Sequence, residues 1–166
     1  MGNLVGGQNP KYYFMSYGGK NMGLFDYMKK KKELGPYSAI DLLSKHDKGE
    51  MNDEVFLSGF GQINLFYSTP FGDHKDGGQR IFLLPAPNNT GYHPVFSSQE
   101  RLKEFYEKAG RVGFMIMNGT FSSVLATTKD INEKAPVKMG IIIDPGYYNV
   151  TVDVSMLDTV IGMTKR

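Results

Sequence analysis

Tyr92–Arg111, "YHPVFSSQERLKEFYEKAGR", carries the best-formed local signal in the chain. Pro94 keeps the chain extended ahead of Val95 and Phe96, which favour strand. Ser97 and Glu100 have capping-box spacing, so each side chain can satisfy an otherwise unpaired amide at the start of a helix. Leu102, Phe105, Tyr106 and Ala109 then recur at helical spacing and build one apolar stripe. Gly110 is a natural stop. Glu100, Arg101, Lys103, Glu104, Glu107 and Lys108 lie off the stripe and are expected in solvent. A strand that runs directly into a capped amphipathic helix is scaffold, with no motif for chemistry.

Upstream, "GPYSAIDLLSKHDKGE" predicts a short helix with Ile40, Leu42 and Leu43 apolar and Gly49 at its end. "EVFLSGFGQINLFYSTPFG" has the character of a strand broken at Gly59 and Gly61, as in a bulge or hairpin. "GDHKDGGQ" is a turn or exposed loop, and "RIFLLPAP" a short apolar strand that ends at prolines.

Downstream, "RVGFMIMNG" is a continuous apolar run of the kind found in a buried strand. "TFSSVLATTKDINEK" predicts a helix with Phe121, Val124 and Leu125 inward. "KMGIIIDPGYYNVTVDV" predicts two strands around an Asp144-Pro145-Gly146 turn. "SMLDTVIGMTKR" closes with a short helix that carries Met156, Leu157, Val160 and Ile161 on one side. The elements sum to a single compact α+β domain, a mixed sheet packed with a few short helices.

Composition narrows the function classes. The 166 residues suit one domain with a real core, and 40% hydrophobic and 13% aromatic content are those of a globular protein. No apolar run approaches the roughly 20 residues that cross a bilayer. No secretory signal pattern is present, and a cytoplasmic location is expected. The absence of cysteine excludes disulfides, thiolate catalysis and cysteine-ligated metals. A net charge of +2 lacks the clustered positive charge of a nucleic-acid footprint. The one dense basic cluster, Lys29–Lys32, follows "MGLFDYM"; a solvated run is expected there, ahead of a membrane-surface anchor.

The N-terminus differs from the rest. Residues 1–21 are glycine-rich and hold no Asp or Glu, and "MGLFDYMKKKK" after them looks like the start of a small bacterial protein. Gly18-Gly19-Lys20-Asn21 can be encoded by a ribosome-binding sequence just before Met22. Residues 1–21 are therefore expected to be translated leader, or else an N-terminal extension with a strand through Tyr12–Met15. Without Lys11 and Lys20 the 19 basic residues become 17, against 17 acidic ones, so the chain from Met22 is neutral.

"IFLLPAP", then "HPVFSSQERLKEF", an apolar strand, a helix and "GIIIDPGYYNVTVD" follow in an order that resembles the N-terminal domain of the SseB family, the proteins named for enhanced serine sensitivity. The matching positions are Pro85, Pro94, Val95, Phe96, Ser98, Leu102, Phe105, Pro145 and Gly146. Ser97 stands where the family usually has Thr, and Asp144 where it has Asn. The resemblance covers about residues 62–154 of a domain that would span 22–166, and this chain lacks the further C-terminal domain of longer members. It implies a non-catalytic module, with single-domain relatives acting as interaction proteins, including immunity proteins that sit beside bacterial toxins.

Residue chemistry supplies little that competes. His46, His74 and His93 have no second histidine at ligand spacing, and "DHKD" is too short for a defined site, so neither metal nor cofactor is expected. Nucleophile-elbow, P-loop and Rossmann fingerprints are absent. Asp144, Asp153 and Asp158 could converge for acid–base work, although Asp144 reads as a turn residue. Alternation puts one of Tyr147 and Tyr148 outside, as an interface anchor or a cover for the sheet edge. The expected function is protein recognition, with neutralisation of a secreted toxin its sharpest form. Its candidate contacts are the exposed loop residues Asp73, His74, Asp76, Tyr92, His93, Tyr147 and Tyr148. The alternative is a small-ligand regulator or an enzyme whose residues converge only in space.

Overall fold

The computed structural model of the chain describes residues 37–68, 82–111 and 114–165. In order they form helices α1 (Ala39–Asp47) and α2 (Asp53–Phe60), strands β1 (Asn64–Ser68), β2 (Leu84–Ala86) and β3 (Thr90–Val95), and helix α3 (Gln99–Lys108). Strand β4 (Ile116–Thr120), helix α4 (Phe121–Lys134), strands β5 (Met139–Ile143) and β6 (Val150–Val152) and helix α5 (Leu157–Thr164) complete the chain. A four-stranded sheet runs β2-β3-β5-β6, parallel only at β3–β5, and a two-stranded antiparallel sheet pairs β1 with β4. A Phe66–Phe96 bridge connects the two sheets. The architecture is the expected single α+β domain.

Pro94 sits inside β3 without costing a ladder bond, for a reason that the register supplies. Gly91 N donates to Lys138 O at 3.0 Å and Val95 O accepts from Asp144 N at 2.8 Å, so residues 91, 93 and 95 turn their main-chain groups toward β5. Alternate residues face the other edge, where Tyr92 meets β2 and Phe96 meets β1. Pro94 falls in the gap between those two neighbours, and its ring deprives neither of a donor.

Helix α3 follows as read, with one correction. Its cap is Ser98, whose Oγ accepts from Arg101 N at 3.3 Å, because Ser97 is drawn off by Asp144. Leu102 and Tyr106 are buried and Phe105 half-buried, while Ala109 is the exposed C-cap. Gly110 adopts φ +69°, and Arg111 N reaches back to Tyr106 O at 2.9 Å, the bond that closes a left-handed helix end.

Two apolar clusters flank the sheets. The larger gathers Leu42 and Leu43 of α1, Phe56, Leu57 and Phe60 of α2, Leu65 of β1, Phe121, Val124 and Leu125 of α4, Ile141 and Ile143 of β5, and Val160 of α5. Phe60 stacks on Phe56 at 4.8 Å and meets the edge of Phe121 at 5.3 Å. The smaller seats Phe96, Leu102 and Tyr106 among Phe66, Phe82, Phe105, Phe114 and Ile116. All five β5 residues are buried, as an unbroken apolar run requires of a strand covered on both faces. Gly140 is obligatory there, since an added Cβ would lie 2.2 Å from Val152 O.

Three readings are corrected. Residues 53–60 form a helix, not a broken strand: Asn52 Oδ1 caps it by accepting from Val55 N at 2.9 Å, Asp53 and Glu54 fill its first turn, and Phe56, Leu57 and Phe60 face the core. Burial of that face outweighs the helix cost of Gly59. Strand β4 is not buried, since Met115 is 64% and Met117 40% exposed at the outer edge of the two-stranded sheet. Ile40 is 43% exposed on α1, on the far side from Leu42 and Leu43.

The readings of residues 1–21, of Lys29–Lys32, and of Asp73, His74 and Asp76 fall outside the described residues. Among those described, no helix is long and apolar enough to cross a membrane.

Candidate functional site

The parallel pair β3–β5 puts Val95 opposite Ile143, so the C-terminal ends of both strands lie side by side. The residues just beyond, Ser97 and Asp144, therefore meet although 47 positions separate them. Asp144 is fully buried and opens the turn 144–149 with φ +48°. Its carboxylate accepts from Ser97 N at 2.8 Å, from Ser97 Oγ at 2.7 Å and from Arg101 Nη1. Its carbonyl accepts from Tyr147 N at 3.0 Å and Tyr148 N at 3.1 Å, and Asn149 Oδ1 accepts from Gly146 N at 2.8 Å. One residue thus anchors the start of α3 with its side chain and the turn with its backbone.

Arg101 carries the anchorage to the surface. Its guanidinium lies 4.3 Å from the centroid of Tyr147 and 5.2 Å from that of Tyr148, within cation–π range. Burial is the largest influence and opposes its charge, but Asp144 and Tyr148 together outweigh burial and leave the guanidinium more firmly protonated than usual. The Tyr147 hydroxyl donates to Glu104 Oε2 at 2.5 Å, and Lys108 Nζ donates to Glu104 Oε1 at 2.6 Å. The hydrogen bonds from Lys108 and then Tyr147 hold the Glu104 carboxyl below its ordinary value, and that from Tyr147 to Glu104 raises the phenol's. Tyr147 remains 49% exposed, yet Arg101 supports its ring and α3 tethers its hydroxyl. Tyr148 is half-buried and packs against the larger core.

Tyr92 and His93 lie elsewhere, which corrects their reading as loop contacts. Strand β3 extends back to Thr90, so both are strand residues flanked by β2 and β5. Tyr92 is buried, with its hydroxyl on Asp153. His93 is buried beside the edge of Tyr67, ring centroids 5.8 Å apart. Desolvation pushes its pKa down to about 4 against the opposing pull of the Ser68 carbonyl, so the imidazole is neutral at pH 7. Of the seven candidate contacts, the described residues leave Tyr147 and Tyr148 together at one corner.

The three carboxylates weighed for acid–base work each take a separate partner: Asp144 takes Arg101, Asp153 takes Tyr92, and Asp158 takes Lys129. His46 bonds Asp53 at 2.7 Å and ties α1 to α2. Among the described residues no group of three His, Cys, Asp or Glu could hold a metal ion.

Arg101 and Glu104 are the site residues that the sequence reading placed in solvent. The local part of the arrangement is the bond from Arg101 Nη1 to Ser97 Oγ at 3.2 Å, four positions apart, with Ser97 just ahead of the Ser98 cap. Their other partners, Asp144 and Tyr147, are 43 positions away and leave no periodic trace. Comparison of the chain with protein-family models, curated proteins and solved structures finds no match.

Proposed function

We propose that this chain is a non-catalytic protein-recognition module whose contact surface centres on Tyr147, and most concretely a cytoplasmic immunity protein that binds and neutralises a bacterial toxin. The observation that carries the reading is Tyr147 itself, half exposed yet oriented by Arg101 and Glu104. Tyrosine and arginine dominate the binding energy of protein interfaces, and a side chain already held in place loses little entropy when a partner covers it. The engagement of Asp144, Asp153 and Asp158 with separate partners favours binding over turnover. The resemblance to the SseB family points the same way and rests on the quoted motifs alone.

A net charge of +2 favours recognition by shape and hydrogen bonding over charge matching. The test is affinity capture from the source cell with the full chain and its Tyr147→Ala variant in parallel, followed by mass spectrometry and calorimetry. One stoichiometric toxin, retained by the first and lost by the second, is the expected result. A partner held equally by both removes Tyr147 from the contact. A small metabolite in place of a protein overturns the reading in favour of a ligand-binding regulator.

A further inference from the structure

We propose that β4 pairs with β4 of a second copy of this chain, antiparallel about a two-fold axis at Met117, and so extends the β1–β4 pair into a four-stranded sheet. The register identifies which main-chain groups are open. Phe121 N donates to Ile63 O at 2.9 Å, and Phe66 exchanges both its main-chain bonds with Phe96, at 2.8 Å each. With Phe66 opposite Asn118 and Leu65 opposite Gly119, residues 117 and 119 turn their amides and carbonyls toward β1. Ile116 and Asn118 therefore turn theirs outward, and among the described residues no main-chain group bonds to them there.

An open strand edge of this kind is ordinarily blunted by lysine, proline or a bulge. Here the segment Phe114–Thr128 has no charged residue and no proline. That neutrality argues for a second copy as the occupant. Two-fold pairing sets a strand against itself, so any charge at its centre would meet its own like, and β4 has none. Pairing about Met117 places Ile116 opposite Asn118 of the second copy, which matches outward donors to outward acceptors. Met117 then faces its counterpart across a pair without direct hydrogen bonds, where Cα atoms approach to about 4.5 Å. Met115, 64% exposed, comes opposite Gly119. Methionine adapts well to such a junction.

The test is light-scattering mass measurement on the full chain at micromolar and near-millimolar concentration, with Met117→Lys, Asn118→Pro and Ile40→Lys beside it. The wild type and Ile40→Lys are expected to reach about twice the monomer mass of 18.6 kDa. Met117→Lys puts like charges on the axis, and Asn118→Pro removes an outward N–H without touching the bonds to β1. Both are expected to stay at the monomer mass with a cooperative melt. If Asn118→Pro does not fold, Met117→Lys decides. A monomeric wild type overturns the proposal, as does a dimer that survives both edge substitutions. Slow exchange of the Ile116 and Asn118 amides in a monomer would assign the edge to the chain's own residues and overturn it equally.

Discussion

Asp144 lies one residue beyond the end of β5, and His93 lies within β3 opposite Ile141. Both polar side chains are buried beside the same parallel strand pair, and they are held by opposite means. Asp144 is met on all sides by donors: Ser97 N, Ser97 Oγ and Arg101 all donate to its carboxylate. His93 is neutral at pH 7 because burial is the largest influence on it and the Ser68 carbonyl alone opposes that. A buried charge is tolerable where donors converge, and a buried imidazole where they do not, so long as it sheds its proton. The first arrangement reaches the surface through Arg101 and Tyr147. The second stays inside the sheet.

The largest effect is expected from Asp144→Ala. It strands the Arg101 charge, 18% exposed, and removes the acceptor for Ser97 N. Removing one member of a buried pair typically costs about 3–5 kcal/mol, and urea unfolding should show a loss of that size. A loss below about 1 kcal/mol would mean that the corner is not held by its charge pair.

Burial of His93 makes stability depend on pH with a definite sign. The folded pKa of about 4 lies below the ordinary 6.5, so the unfolded chain binds the proton more readily. The stabilisation is complete above pH 6.5 and is lost as pH falls from 6.5 toward 4. At about 1.4 kcal/mol per pH unit this amounts to about 3 kcal/mol. The urea midpoint should fall across that window, and His93→Phe should flatten the slope. An unchanged slope would place the acid sensitivity in other groups.

These two residues also show how far the sequence could be read. The β3–α3 unit was legible because capping residues and the Leu102, Phe105, Tyr106 stripe are local signals that tertiary packing reinforces. Residues 53–60 were not, because Gly59 and an apolar run resemble a broken strand until Asn52 is recognised as a cap. Strand β4 looked buried because its composition is apolar, whereas exposure depends on which neighbours the topology supplies. Asp144 was legible as a turn residue, and φ +48° bears that out. Its role as the acceptor for Ser97 and Arg101 was not, since β3–β5 pairing alone brings them together. Tyr92 and His93 were misplaced because the strand was read from Val95, five residues after its start at Thr90.

Arg101→Lys sharpens the same corner on a smaller scale. Lysine keeps the charge on Asp144 but loses the planar group that bonds Ser97 Oγ at 3.2 Å and stacks on Tyr147. A loss of about 1 kcal/mol is expected, well short of that for Asp144→Ala. Equal losses would show that the planar fork, and not the charge, holds the corner.

Tyr147→Ala should have the smallest effect on folding and the largest on recognition. The ring is exposed and its hydroxyl bonds to a surface carboxylate, so the melting temperature should remain that of the wild type. Tyr147→Phe separates the two supports. It keeps the ring over Arg101 and releases the bond to Glu104, so the Glu104 carboxyl, held down by Lys108 and Tyr147, should titrate closer to its ordinary value. If Tyr147→Phe binds the captured partner like the wild type while Tyr147→Ala does not, the stack on Arg101 is what presents the anchor. If both fail alike, the tether to α3 is needed as well, and the corner acts as one unit from Asp144 outward.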